Sequence, residues 1–219
     1  MMLHAFGCSL TYGQALKDCQ GKTKEHAGPT PSRFAWPQVI ADQFNIPCKN
    51  HSEPGGSNKL ILDRILKSQI QSSDIVIVQW SYLARWCMFR GRKAREDLGP
   101  WKTSHPFYKY IWNPTDCIFN NKVVIDYAWL HLKTIGCKFV FSHIEKGVGK
   151  SYWVEDDLEY MFDENIFDHA RFIDKSIKNF PIDLAQDNHH PGRQSHSQFA
   201  DYLIDLPIFA ELTNTKTVL

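Results

Sequence analysis

Short apolar blocks alternate along this chain with segments whose apolar residues recur every three or four positions, the pattern of buried strands followed by amphipathic helices. LHAFGC (3–8) reads as a short buried strand. Residues 14–32 are polar and carry Gly21, Gly28, Pro29 and Pro31, which marks a loop. FAWPQVIADQF (34–44) has helical spacing, with Pro37 near its start, where a missing N–H is tolerated. IPCKNHS (46–52) reads as a second strand, followed by PGGSN. KLILDRILKSQIQ (59–71) places Leu62, Ile65, Leu66 and Ile70 on a helix that Ser57 or Asn58 would cap. DIVIVQWS (74–81) is the clearest buried strand. KVVIDYAWLHLKTIG (122–136) predicts an amphipathic helix closed by Gly136, and KFVFSHI (138–144) another strand. A last helix is expected from about Ser195 to Asp205, stopped by Pro207.

Strand and helix alternating at this spacing predict a mostly parallel sheet covered on both faces. Right-handed crossovers then give a three-layer α/β/α, flavodoxin-like fold, read as one domain over residues 1–219. Sites in such sheets form at the carboxyl ends of strands. Ser9 follows the first strand, Gly55 follows the second and Ser81 ends the third. Residues 82–121 and 145–170 exceed the minimal fold. Both are rich in aromatic and charged residues and read as insertions that build a lid or a substrate wall.

Composition narrows the function class. A net charge of +1 provides no field towards nucleic acid or membrane, so neither is expected as a partner. No apolar run approaches the roughly 20 residues that span a bilayer, and no leader pattern precedes the first strand, so a cytoplasmic location is expected. The six cysteines, Cys8, Cys19, Cys48, Cys87, Cys117 and Cys137, form no CxxC pair and read as small buried thiols.

The chemistry starts at FGCSLTYG (6–13). A serine after a strand and before a helix presents its hydroxyl at the sheet edge, but the hydroxyl is a weak nucleophile without an adjacent base. DNHHPGRQSHSQFADYL (187–203) supplies one. Asp187 and His190 stand three apart, so one turn can bond carboxylate to imidazole, with Pro191 and Gly192 stiffening it. Asp183, just upstream, reads as structural.

At these blocks the chain resembles the SGNH/GDSL hydrolases, serine esterases and acylhydrolases on a flavodoxin-like sheet. GCSLTYG is similar to the family's GDSLTxG block, which implies Ser9 as nucleophile. NHSEPGGSN (50–58) resembles the second block and implies Gly55 as an oxyanion-hole glycine beside the Ser9 amide. VIVQWS (76–81) lies where the family has a strand ending in GxND, and DNHHP matches D-x-x-H-P with Asp187 and His190. The blocks run in family order from residue 6 to 203. The resemblance implies ester hydrolysis without cofactor or metal, on a small-molecule or carbohydrate ester, with carbohydrate acetyl groups as one target.

Two departures stand out. Cys8 replaces the aspartate beside the nucleophile. A thiolate there could itself attack, but strand alternation points Cys8 and Ser9 apart, so a buried thiol is expected. Ser81 replaces the third-block asparagine, so the hole would gain a hydroxyl donor, or charge from nearby Arg85. Arg85, Trp86 and Asn58 are candidate substrate contacts, although Asn58 also reads as a helix cap. The basic run FRGRKAR (89–95), among Trp86, Phe89, Trp101, Phe107, Tyr108, Tyr110 and Trp112, suggests stacking on a sugar and pairing with an acidic group, or simply packing of the insertion. His189, His190 and His196 cluster, yet their spacing fits no zinc pattern. Competing readings are a glycan-binding module that has lost efficient catalysis, an acyltransferase using the same residues, and a flavodoxin-type phosphate loop at SLTYG.

Overall fold

Alternation along the strands sets the layers. The computed structural model describes residues 1–22, 26–90, 94–102, 104–144 and 172–210. In chain order the strands are β1 (Leu3–Phe6), β2 (Cys48–Asn50), β3 (Ile75–Trp80), β4 (Trp86–Arg90), β5 (Ala94–Leu98) and β6 (Lys138–His143). The helices are α1 (Ser9–Tyr12), α2 (Trp36–Phe44), α3 (Asn58–Lys67), α4 (Pro114–Ile135) and α5 (Arg193–Ile204). β2, β1, β3 and β6 form a sheet in that spatial order, and every pairing in it is parallel. Phe172 bridges Phe141 in parallel at the far edge, where the Ile173 N–H donates to the Phe141 carbonyl at 2.8 Å. Leu3, Ala5, Ile75, Ile77 and Val140 face one way, onto Trp36 and Ile40 of α2 and Phe199 and Leu203 of α5. Phe6, Val76, Val78, Trp80 and Phe141 face the other, onto Ile61 and Ile65 of α3 and Ile125 and Leu132 of α4. The expected three-layer arrangement follows from a parallel sheet apolar on both faces. Each fully buried aliphatic or aromatic side chain contributes roughly 1.5–3 kcal/mol.

Order β2-β1-β3-β6 reverses direction at β1. The first crossover leads to one side of β1 and the second to the other, so the carboxyl end of β1 lies at the topological switch point. Ser9 is three residues beyond it.

The expected elements are present with shifted ends. α3 stops at Lys67, where Ser68 leaves the helical region, rather than at residue 71. α4 starts at Pro114, eight residues before the apolar spacing suggested. Asn113 caps it by accepting from the Asp116 N–H at 3.2 Å, and Pro114 opens it. Asn-Pro is itself a helix-start signal, masked by the polar first turns. The first insertion therefore ends near residue 113. It holds the antiparallel hairpin β4–β5, which polar residues on its second strand concealed. The second expected insertion, 145–170, lies outside the described residues. Among the described residues no helix is long and apolar enough to cross a membrane.

Candidate active site

The turn that carries Ser9 is set by its glycines and Thr11. β1 ends at Phe6 and the chain turns through Gly7 and Cys8 into the single helical turn of α1. A Cβ on Gly7 would lie 2.2 Å from Thr11 Oγ1 and 3.2 Å from the Gln79 carbonyl oxygen, so only glycine allows this close approach to β3. Thr11 Oγ1 donates to Gln79 Oε1 at 3.2 Å and pins the turn. Gly13 ends α1 at φ 76°. The Ser9 amide is at the first helical position, where an N–H has no intrahelical acceptor. Cys8 is buried against Leu3, Ala5 and Leu10 as expected, but for a different reason. The strand has already ended, and Cys8 occupies the residue before α1.

The second block docks on this turn. Asn50 Nδ2 donates to the Thr11 carbonyl at 2.8 Å, and the Glu53 N–H donates to the Gly7 carbonyl at 3.3 Å. The Gly56 N–H donates to the Glu53 carbonyl at 3.0 Å, closing a turn with Pro54 second and Gly55 third at φ 74°. That is the type II arrangement, which needs glycine at its third position. A Cβ on Gly55 would meet nothing within 4 Å, so the backbone angle and not space demands the glycine. The Glu53 carboxylate binds Arg95 of β5 through both terminal nitrogens and Arg64 of α3 at 2.6 Å. Hydrogen bonding to Arg95 leads the causes that hold Glu53 below the usual carboxylate range, against its burial. The insertion hairpin thus braces the Gly55 turn, a contact across 42 residues that no local pattern signals.

The Asp187–His190 block folds on itself. His190 Nδ1 lies 2.5 Å from Asp187 Oδ2, while the His189 and His190 N–H groups both donate to Asp187 Oδ1 at 3.0 Å. Burial alone would raise the Asp187 carboxyl; these donors outweigh it and hold the group below its ordinary value. The Ala185 N–H donates to the His190 carbonyl at 2.8 Å, and Asn188 takes a left-handed φ of 58° inside the loop. Asp183 is structural, as expected. Its carboxylate accepts from the Gln194 N–H at 3.0 Å and the Ser195 N–H at 2.8 Å, which fixes the start of α5. Gly192 leaves room for that carboxylate, since a Cβ there would lie 2.3 Å from Asp183 Oδ2. Among the described residues His196 forms no metal-binding group with the other two histidines. It is buried, with Nδ1 accepting from the Trp36 N–H at 3.1 Å, and burial pushes it down to about 3.

Ser9 and His190 line one open pocket of about 370 Å³, together with His189, Tyr82, Arg85 and Lys178. Leu10, Ile177, Phe180 and Leu184 add apolar wall. Ser9 is 5% exposed and makes no hydrogen bond to His190 in this structure. Asp187 stands behind His190, and Gly55 is docked through Glu53 on the residue two before Ser9. Tyr82 and Lys178 were not anticipated. The only sequence signal for Tyr82 was its place just after the third strand.

The third block differs from the expectation of a direct hydroxyl donor. Ser81 does not line the pocket. Its N–H donates to Asn58 Oδ1 at 2.7 Å, and its Oγ accepts from Arg85 Nη1 at 3.1 Å. Asn58 is 1% exposed and its amide also donates to the Ser81 carbonyl and to Asn121 Oδ1, so it ties three elements together and offers nothing to a substrate. Ser57, not Asn58, caps α3, accepting from the Leu60 N–H. Trp86 faces a separate cavity of about 280 Å³ with Phe107, Trp112 and Asp116, and stacks on Phe107 at 5.6 Å. Of the basic run, Arg95 is bound to Glu53 and Asp97, and residues 91–93 lie outside the described residues.

Three solved structures share this fold. A protein described as a lipolytic protein of the G-D-S-L family, from Desulfitobacterium hafniense DCB-2, is 12% identical with a TM-score of 0.50, over 92% of this chain and 97% of its own. The fold is that of the SGNH/GDSL hydrolases. TesA is 9% identical with a TM-score of 0.57, over 97% of this chain and 99% of its own. A carbohydrate esterase, whose active site displays divergent catalytic and non-catalytic binding functions, is 11% identical with a TM-score of 0.56, over 97% of this chain and 68% of its own. No protein-family model matches the sequence, and no curated protein does.

Proposed function

We propose that the protein is a serine esterase that hydrolyses O-acyl esters, with Ser9 as nucleophile, His190 as general base and Asp187 as its orienting carboxylate. The observation that carries this reading is Ser9 and His190 on the wall of one pocket, with the imidazole bonded to Asp187 at 2.5 Å. With Nδ1–H given to Asp187, the Nε2 lone pair is left for the pocket. His190 takes the Ser9 proton as Ser9 Oγ bonds to the ester carbon. The Ser9 and Gly55 amides hold the resulting oxyanion. Collapse breaks the bond to the leaving alcohol, which receives the proton from His190. Water, deprotonated by His190, then attacks the acyl-serine; the bond to Ser9 Oγ breaks, the acid leaves, and Ser9 Oγ takes the proton back from His190. Transfer of the acyl group to an acceptor other than water would use the same residues. A carbohydrate O-acyl group is the proposed target, supported by the carbohydrate esterase among the structural neighbours and by the exposed Trp101 and Tyr110.

The test is steady-state hydrolysis of p-nitrophenyl acetate and of acetylated sugars by wild type and Ser9→Ala. Turnover by wild type alone is the expected result; equal rates from both proteins would end the proposal. A second reading, a glycan-binding module, is favoured by one feature, the serine at the third-block position, whose hydroxyl accepts from Arg85. Glycan binding unaltered by Ser9→Ala, together with absent turnover, would select it.

A further inference from the structure

We infer that the substrate is an anionic ester, one whose acyl or alcohol part carries a carboxylate, phosphate or sulfate recognised by Arg85 and Lys178. The inference rests on the esterase reading for where the ester lies, but not for the sign of the pocket's charge. Arg85 and Lys178 line the same wall as Ser9. Their charged heads lie 4.7 and 4.8 Å from the centroid of one ring, that of Tyr82. Arg85 is held in place by Ser81 Oγ at 3.1 Å and by the Trp101 ring at 5.3 Å, which leaves the rest of its guanidinium fork for a ligand. Neither cation has a carboxylate partner among the described residues. The one acidic side chain on the lining, Asp183, is bonded to the start of α5 and to Ser195 Oγ. The Asp187 carboxylate is bonded to His190.

Two like charges gathered at one ring beside a nucleophile repel each other, and a bound anion relieves that repulsion. A guanidinium fixed by a hydroxyl and two aromatic rings also loses little freedom on binding. The family's asparagine would offer a neutral amide at this strand end. Here Ser81 holds a cation instead, so the substitution that weakens the resemblance becomes the feature that selects substrate.

Paired esters test this. Mono-p-nitrophenyl glutarate against p-nitrophenyl valerate places a carboxylate on the acyl side. p-Acetoxybenzoate against its methyl ester places one on the alcohol side. For at least one pair the charged ester should show a kcat/KM about tenfold or more above its neutral partner, since one charge-assisted bond contributes about that factor. That preference should collapse in Arg85→Gln and Lys178→Gln and shrink as salt rises. Calorimetric binding of the same esters to Ser9→Ala reads the charge preference without chemistry. A charge preference in binding with no turnover by wild type would sink the esterase reading and support only the pocket's selection of an anionic ligand. Neutral esters preferred or equal in both assays, or a preference that survives both substitutions in folded protein, would overturn it.

Discussion

Two segments reach the pocket in front of Ser9, and they are built on different principles. The loop from Asp183 to Pro191 holds His190 almost entirely by contacts within itself: Asp187 three residues away, the Ala185 N–H on the His190 carbonyl, and the Leu184–Pro191 bridge. The segment from Ser81 to Arg85 depends on partners far away in sequence. Ser81 is held by Asn58 of α3, which in turn bonds Asn121 of α4, and Arg85 leans on Trp101. The local wall keeps the family pattern and would carry the chemistry. The non-local wall departs from it and would carry selectivity. A general base tolerates little change of geometry, whereas a recognition wall can exchange an amide for a cation without touching the proton transfer.

The largest expected effects lie on the local wall. Ser9→Ala and His190→Ala should each lower kcat on the order of 10⁴-fold or more, and their combination should cost no more than either alone, because they act as one unit. Asp187→Asn should cost on the order of 10⁴ by permitting the wrong tautomer. Single-substrate kinetics with folded variants measures all three.

Next comes the Gly55 turn, docked through Glu53 on the residue two before Ser9. Gly55→Ala forces a side chain onto a left-handed φ of 74° at a cost of roughly 1–2 kcal/mol, and should lower kcat by at least about tenfold as the amide turns away. Arg95→Ala removes the brace from Glu53 while Arg64 remains. A fall of about tenfold in kcat with little change in KM is expected, the mark of a positioning residue.

Smaller effects separate stability from catalysis. Burial first, then the positive charges of His4, Lys49 and Arg64, push His51 down to about 4, and burial pushes His196 down to about 3. Both folded values lie below the ordinary 6.5, so the unfolded chain takes up these protons first. Their contribution is complete above about pH 6.5 and is lost as pH falls towards 4 and 3. Thermal melts should show Tm falling by roughly 5 °C or more across that window, as a stability loss of a kcal/mol or two implies for a chain of this size. The smallest effect is on the non-local wall. Ser81→Ala, which releases Arg85, should reduce the preference for anionic over neutral esters about threefold in paired kcat/KM measurements.

The same division explains what the sequence made legible. Parallel strands buried on both faces announce themselves as apolar runs, so Ile75–Trp80 and Lys138–His143 could be placed to within a residue or two. Ser9 between its glycines and the Asp187–His190 spacing are local patterns with a steric or hydrogen-bonding cause. The Glu53–Arg95 brace, the Asn58–Ser81–Asn121 tie and the meeting of Arg85 with Lys178 at Tyr82 join residues that no short window contains. Asn58 was open to misreading for that reason. Its place at a helix start looked like a cap, and its buried long-range bonds became visible only in three dimensions.

The most direct measurement of the central claim is covalent labelling of native protein with a fluorophosphonate probe, with the adduct located by mass spectrometry beside Ser9→Ala and His190→Ala. Labelling on Ser9, abolished by either substitution, is the result predicted for a serine activated by His190. Native, folded protein that stays unlabelled while a known serine esterase reacts alongside it would contradict the account.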